Sequence, residues 1–370
     1  MGISAPPFSR RSFLAQASCF GAFFHLAARV PILGFSNALA DDSRISASPI
    51  VDKGFASVRK IGDGLYATIS DASKGYVTVS NGGFLVGKDS ALLLEGFASV
   101  GGAAFQMETL RSVTQVPVKA ALDTHYHFDH SCGNTFYGAH GIELWGHSAV
   151  ARRIYDAYAP MQSLDAHAVL AAQENRLRDA KNDVEKTHAQ GDLNAMTGIY
   201  KTVNSTMLAF PDHPIAPERI PLTVDLGGLS IIIESHPGHS GTDLIVRVPS
   251  QNVVYTGDLL FNGWYPVCFD QYATISGWRD SLKKFAGYDK DTIFVPGHGQ
   301  LCGQEGIATL RAVFDDISEQ AEKMHKAGVP AKEAAERYVV PEKYKSFPIF
   351  AWGLTIEPAI IKLYSEWGVK

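Results

Sequence analysis

The chain has 370 residues, 46% of them hydrophobic and 19% charged, a composition that fits one large globular domain or two ordinary ones and excludes a disordered polymer. Formal net charge is −5, and setting aside the first forty residues, whose charges are Arg10, Arg11 and Arg29 with no acid, leaves −8 on the remainder. Such an acidic body lacks the basic footprint of general nucleic-acid binding, so no nucleic-acid partner is expected.

The N-terminus has the pattern of an export signal. "SRRSFLA" (9–15) sets paired arginines ahead of Phe13 and Leu14 and resembles the twin-arginine signal. An apolar stretch follows, and Ala38-Leu39-Ala40 has the small-x-small form of a cleavage site. His25, Arg29 and Pro31 interrupt the run before the ~20 apolar residues that a membrane span requires. A signal peptide over 1–40 and a mature N-terminal segment over 41–54 are expected, giving a periplasmic or secreted protein with no stable membrane span after cleavage. Cys132, Cys268 and Cys302 then remain, an odd number that allows at most one internal disulfide.

From about residue 55 the chain alternates strands and helices. Strands are predicted at 64–70, 76–81, 82–87 and 90–97, with Asn81-Gly82-Gly83 as a turn between two of them. A helix follows over 102–114, where Ala104, Met107, Leu110 and Val113 recur near the helical period. "VKAALDT" (118–124) is a buried strand. A long helical stretch covers about 148–208. Strand patterns return at 219–239, 243–249 and 252–261, then a helix at 278–285 and a strand at 291–298. The tail from 303 is helical, broken near Pro330, Pro341 and Pro348. The predicted organisation is one catalytic domain over 55–302 with a helical insertion, and a helical C-terminal extension over 303–370. Helices covering both faces of a packed pair of sheets are the natural arrangement.

The strand at 118–124 delivers "HYHFDH". His125 and His127 are two apart in an extended segment, so their side chains share a face, and Asp129 and His130 follow directly. Crowded imidazoles repel protons from one another and favour neutral, ligand-competent rings. Neutral imidazole nitrogen and carboxylate oxygen suit zinc, and also iron or manganese. Three later segments, each ending an apolar strand, add matching donors: His239 in "ESHPGHSGTD", Asp258 in "VVYTGDLLF" and His298 in "TIFVPGHGQ". Strand ends converge at one rim of a sheet, where sites in such architectures are built. His236 competes with His239, which the Pro-Gly-His segment favours. Cys132 is expected to pack as a small residue beneath the site. Phe261, Trp264, Tyr265 and Tyr272 either line a substrate cleft or pack the sheet edge.

The series HxHxDH, PGH, TGD, PGH resembles the metallo-β-lactamase superfamily over roughly 55–303. The resemblance implies an α/β, four-layer αββα sandwich carrying the helical insertion (about 148–208) and the C-terminal extension. It implies that His125, His127 and His239 hold one metal, that Asp129, His130 and His298 hold a second, and that Asp258 bridges them. It further implies two Zn2+ as cofactors, with iron or manganese suited to the same donors. Asp129 and Asp258 are the catalytic carboxylates on this reading. Two dications balanced by Asp129, Asp258 and hydroxide leave about +1 to stabilise a developing oxyanion.

Substrate class is less specified. Asp258 stands where the lactamases with a cysteine ligand carry that cysteine. "NGWYPVCFD" replaces the Gly-Cys-Gly-Arg-like segment of glyoxalase II and the persulfide dioxygenases. His127 stands where flavodiiron proteins carry Glu. Three classes remain: a binuclear zinc hydrolase opening a lactone, β-lactam, ester or thioester of a small molecule; a mononuclear iron-dependent oxidoreductase like the persulfide dioxygenases; and a non-catalytic metal-bound binding protein. The insertion is read as a lid, a homodimer face or a packing decoration.

Overall fold

A computed structural model of the chain describes residue 39, residues 41–163 and residues 166–368; apart from Leu39, the export signal read at 1–40 lies outside the described residues. The first sheet runs in chain order through β1 (Val51–Asp52), β2 (Ala56–Gly62), β3 (Leu65–Ser70), β4 (Gly82–Val86), β5 (Ala91–Leu94), β6 (Val118–Leu122), β7 (Leu144–His147) and β8 (His213–Ile215). Pairing is antiparallel as far as β5 and parallel from β5 to β8. The second sheet holds β9 (Leu222–Asp225), β10 (Ser230–Ser235), β11 (Leu244–Val248), β12 (Val253–Asn262) and β13 (Ile293–Gly299) in the order β13-β12-β11-β10-β9, and only β12–β13 is parallel. The described helices are α1 (Val100–Val113), α2 (Phe128–Ser131), α3 (Asn134–Ala139), α4 (Val150–Ser163), α5 (Ala166–Asp179), α6 (Asp183–Asn204), α7 (Ile275–Phe285), α8 (Gln304–Lys326), α9 (Ala331–Arg337) and α10 (Ile356–Glu366).

The period-two pattern of the strands builds the layers. Leu65, Ala67 and Ile69 of β3, Leu92 and Leu94 of β5, and Ile231 and Ile233 of β10 point into one buried cluster between the sheets. The alternate residues Phe84, Ala91 and Leu93 face outward, where Ala103, Phe105 and Leu110 of α1 cover them. On the far side, Val254, Leu260 and Phe294 meet Trp278 and Leu282 of α7, Leu310 and Phe314 of α8, and Ile360 of α10. The result is the expected αββα sandwich. Helix α1 starts where Ser99 Oγ accepts the Gly102 amide at 3.2 Å, an N-cap.

Two parts of the sequence reading are corrected. Residues 76–81 form no strand, and β4 pairs with β3 instead. Asn81 is therefore not a hairpin turn. Its amide is buried, accepting from Ser70 N at 2.8 Å and donating to the carbonyls of Pro296 (2.9 Å) and Gly299 (2.7 Å). A turn signal thus serves as a staple between the sheets, because a side-chain amide satisfies backbone groups that no strand reaches. The stretch 219–239 likewise splits into β9 and β10 around Gly227 and Gly228, both at positive φ.

The helical stretch at 148–208 is observed as α4, α5 and α6. Val150, Ile154 and Tyr158 of α4 and Ala195, Ile199 and Val203 of α6 cluster with Tyr126, Phe128 and Cys132 of the HxHxDH segment. Ala351 and Leu354 from the C-terminal extension join the same cluster. Arg176 clips the two additions together, bonding Asp192 at 3.0 Å and Glu357 at 2.9 Å, while Asp192 also accepts the Gly353 amide at 2.7 Å. No helix among the described residues is long and apolar enough to cross a membrane.

Replacing Asn81 with Ala leaves one buried carbonyl, one half-buried carbonyl and one amide without this partner. A loss of about 2–3 kcal/mol is expected, read as a lower urea midpoint at unchanged slope.

Candidate metal centre

The HxHxDH segment leaves the C-terminal end of β6, and His127 is the N-cap residue of the short helix α2, which carries Asp129 and His130. The turn after β10 carries His239, while β12 and β13 themselves carry Asp258 and His298. Two glycines make the convergence sterically feasible. Gly257 sits at φ +52 where the β12 register shifts, a bulge that re-aims the following Asp258, and a Cβ there would lie 2.5 Å from Thr124 Oγ1. A Cβ on Gly297 would lie 1.9 Å from Asp258 Oδ1. The Gly of TGD therefore clears Thr124 as the strand turns, and the Gly of PGH clears the aspartate itself.

All seven predicted residues come together, and all are buried. They form two groups, His125/His127/His239/Asp258 and Asp129/His130/His298, whose donor atoms within each group lie within 4.8 Å of one another. In the first, His127 Nδ1 lies 3.1 Å from His125 Nε2 and 2.9 Å from His239 Nε2. Asp258 Oδ2 lies 3.3 Å from His239 Nε2 and 3.8 Å from His125 Nε2. The other oxygen, Asp258 Oδ1, faces the second group, 3.1 Å from His130 Nε2 and 3.3 Å from His298 Nε2. Asp129 Oδ2 completes that group at 3.2 Å from His298 Nε2. Donors bonded at ~2.05 Å to a tetrahedral ion are separated by roughly 3.3 Å, so the spacing within each group is that of metal donors, and Asp258 faces both groups. His130 Nε2 and Asp258 Oδ1 are buried and make no hydrogen bond, as atoms reserved for a metal would be.

A second layer of residues sets the tautomers. Glu95 Oε1 accepts the Thr124 hydroxyl at 2.6 Å, leaving Thr124 Oγ1 to accept from His125 Nδ1 at 3.1 Å, which frees Nε2 as a donor to metal. The same Glu95 oxygen is 3.2 Å from His130 Nδ1. Glu95 holds this position at φ +71, a strained conformation for a non-glycine residue. Asp270 accepts from His127 Nε2 at 2.8 Å, from the Tyr126 hydroxyl at 2.5 Å and from the Tyr272 amide at 2.7 Å. Asp243 gathers the amides of Gly238, His239 and Ser240, each at 3.0 Å, shaping the His239 turn.

Sequence reasoning did not find Glu95, Asp243 or Asp270. Glu95 had a signal, a carboxylate ending the buried run "ALLL". Asp270 had none, because it lies in irregular chain and meets His127 only through folding.

Charge divides the two groups. Burial holds His125 well below the usual imidazole range, with His130 and His127 adding repulsion, and burial takes His239 to about 4. Burial opposes charge on His298 as well, yet Asp258 and Asp129 raise it to about 9; Glu95, Asp258 and Asp129 likewise raise His130. Burial disfavours the Asp270 carboxylate, but its bonds to His127 and Tyr126 bring it to about 2.

The remaining candidates sort out clearly. His236 bonds Glu234 at 3.0 Å and lies outside both groups, so His239 is the residue brought to the centre. Cys132, Cys268 and Cys302 are all free and buried, and Cys132 packs among Tyr126, Phe128 and Tyr158. Phe261 stacks on His298 at 5.0 Å, and Trp264 lies 5.8 Å from the same ring. Phe261 and Tyr265 are both buried in the far core, where Tyr265 bonds Tyr338. Phe269, 42% exposed, stacks on His127 at 5.2 Å.

Comparison with known proteins gives a family and a fold. The family profile described as Metallo-beta-lactamase superfamily matches residues 75–298. Uncharacterized proteins of Mycobacterium tuberculosis (strain H37Rv) and Mycobacterium bovis are each 31% identical over 110 residues, 27% of this chain and 48% of theirs. The chain thus spans about half the length of the curated relatives it matches. A stereoselective inverting sec-alkylsulfatase from Pseudomonas sp. superposes with a TM-score of 0.57 at 13% identity, covering 85% of this chain and 50% of that one; the likeness is one of fold. A metallo-beta-lactamase from Pontibacter korlensis gives a TM-score of 0.46 at 16% identity, with 72% and 98% covered.

Metal binding should release protons from the second group. The raised folded-state value of His298 means its ion pairs stabilise the metal-free protein fully below pH 6.5 and are lost as pH rises through about 9. A dication competes with that proton, so its affinity rises over the same window. The gap in Tm between loaded and chelator-stripped protein should therefore widen from pH 6.5 to 9, as thermal scans at fixed metal excess would show. Asp270→Asn should weaken binding about 10–100-fold, measured by competition with a chromophoric chelator.

Proposed function

The chain belongs to the metallo-beta-lactamase superfamily, and on that premise we propose that it is a binuclear zinc hydrolase opening a lactone, β-lactam, ester or thioester bond of a small molecule. One observation carries the reading: the two oxygens of a single buried carboxylate, Asp258, face two separate histidine groups. A pair of dications held by such donors supplies a Lewis acid for the scissile carbonyl and an activated water as nucleophile.

The chain's own residues do the rest. Asp258 keeps the two groups at a fixed separation. Asp129 is ionised, its value lowered by His130 and His298 against the effect of burial. The Asp129 carboxylate accepts a proton-bearing bond from the attacking water and orients it. Phe261, Trp264 and Phe269 border the histidines with apolar rings; they exclude bulk water and favour substrates with an apolar group beside the carbonyl. No Ser, Cys or Lys nucleophile is required. Cys132 is unsuited to that role, since burial pushes its thiol far up. The twin-arginine pattern at 9–15 supports action in the periplasm or outside the cell.

Zinc-loaded protein should contain about two metal ions per chain and hydrolyse members of a panel of lactones, β-lactams, esters and thioesters, with sulfate and phosphate esters as comparison. Asp129→Asn should lower kcat by at least about 100-fold at unchanged fold. One iron per chain with oxygen uptake, and no carbonyl ester cleaved, would overturn the hydrolase reading. Phe269→Ala should raise KM about 5- to 20-fold for substrates with long apolar chains and leave short ones nearly unchanged.

A further inference from the structure

The insertion over 148–208 has no role in the chemistry as derived so far. One of its side chains, however, reaches three of the segments that carry or support the first metal group. Arg153, in the first turn of α4, points its guanidinium between two tyrosine rings, 3.9 Å from the centroid of Tyr272 and 5.9 Å from that of Tyr126. Its Nη1 donates to the carbonyl of Ser240, the residue directly after His239. The packing is close enough that a Cβ on Gly241 would lie 3.4 Å from Arg153 Nη1 and 3.3 Å from Tyr272 Cβ, and Gly241 holds the turn at φ +67.

Each contact leads to a ligand. Tyr126 lies between His125 and His127 in the chain and donates its hydroxyl to Asp270 Oδ2. The Tyr272 amide holds the other oxygen of Asp270, and Asp270 Oδ2 fixes His127 through Nε2. The Ser240 carbonyl belongs to the turn that presents His239, whose other supports come from Asp243. A planar cation with five donors can stack on one ring while bonding a carbonyl at its edge; an ammonium cannot do both.

We infer that Arg153 is a positioning residue of the metal centre: from the helical insertion it clamps the His239 turn and the Asp270 loop against Tyr126, and so fixes the orientation of His127 and His239. The insertion is in that case part of the site. Among the described residues Arg153 makes no hydrogen bond or ring contact with Asp129, His130 or His298; His130 is supported instead by Glu95, which also reaches His125 through Thr124. The clamp therefore acts on one metal and spares the other. The inference rests on the two-metal reading of the centre.

The test uses the full chain loaded with Co2+ or Zn2+, with metal release followed by a chromophoric chelator and the Co2+ form followed by its visible spectrum. Wild type is expected to release two ions in separable phases. Arg153→Met should accelerate one phase about 10–100-fold, leave the other near its wild-type rate and alter the visible bands. Arg153→Lys should recover only part of the effect. Arg152→Met removes the neighbouring exposed arginine, paired with Asp156, and should change neither reading. Should Arg153→Met fail to fold, Tyr272→Leu removes the clamp from its exposed side and should accelerate the same phase. Wild-type rates and spectrum in Arg153→Met or in Tyr272→Leu would overturn the inference while leaving the centre intact, as would equal acceleration by Arg152→Met. A wild type that binds no Co2+ would overturn the centre itself and this inference with it.

Discussion

The structure depends on burying one carboxylate, Asp258, against four imidazoles. Taken out of water, such a group needs compensation from every direction. Asp258 obtains it from His125 and His239 on one oxygen and from His130 and His298 on the other. The facing backbone at Gly297 must lack a side chain to admit it, and Gly257, bulged beside Thr124, aims it. Without metal, the second group balances its charge with protons on His298 and His130. In the first group, burial holds His125 and His239 low and so disfavours charge on those two rings. The second group is thus poised to exchange protons for cations.

Around this core the fold supplies orientation from opposite sides. The first sheet contributes Glu95, which reaches His130 directly and His125 through Thr124. The segment after β12 contributes Asp270, which reaches His127. Asn81 ties the sheets together beneath, so that ligands carried by β6 and by β12 and β13 keep a common frame. The additions to the sandwich meet over the HxHxDH segment, where α4 and α6 share an apolar cluster with residues 351 and 354. Arg176 links them from outside. The insertion and the extension therefore pack against the centre and against each other.

Much of this was legible in the sequence because metal chemistry demands few residue types at fixed spacing. His125, His127, Asp129 and His130 announce themselves by crowding, and His239, Asp258 and His298 by the PGH and TGD segments beside apolar runs, although Asp258 lies inside β12 and His239 in the turn beyond β10. The preference for His239 over His236 also holds, since His236 turns to Glu234. The layers followed from strand periodicity. What misled was the Asn81-Gly82-Gly83 signal, which describes backbone freedom and polarity and cannot distinguish a tight turn from a buried amide serving distant carbonyls. Phe261 and Tyr265 show the same limit: four residues apart in one aromatic-rich run and both in the far core, only Phe261 also stacks on a histidine of the centre.

By itself, then, the sequence determined the donor set, the sandwich that carries it and the two helical additions, because each is encoded in residue type and local period. Only the tertiary structure decided how Asp258 divides its oxygens, which nitrogens of His125 and His127 are taken by supporting residues, and that Glu95 and Asp270 stand behind the histidines. Those are contacts across as many as 143 positions of chain, as between His127 and Asp270. Their geometry is set by how two sheets and an insertion pack, and no local pattern records it.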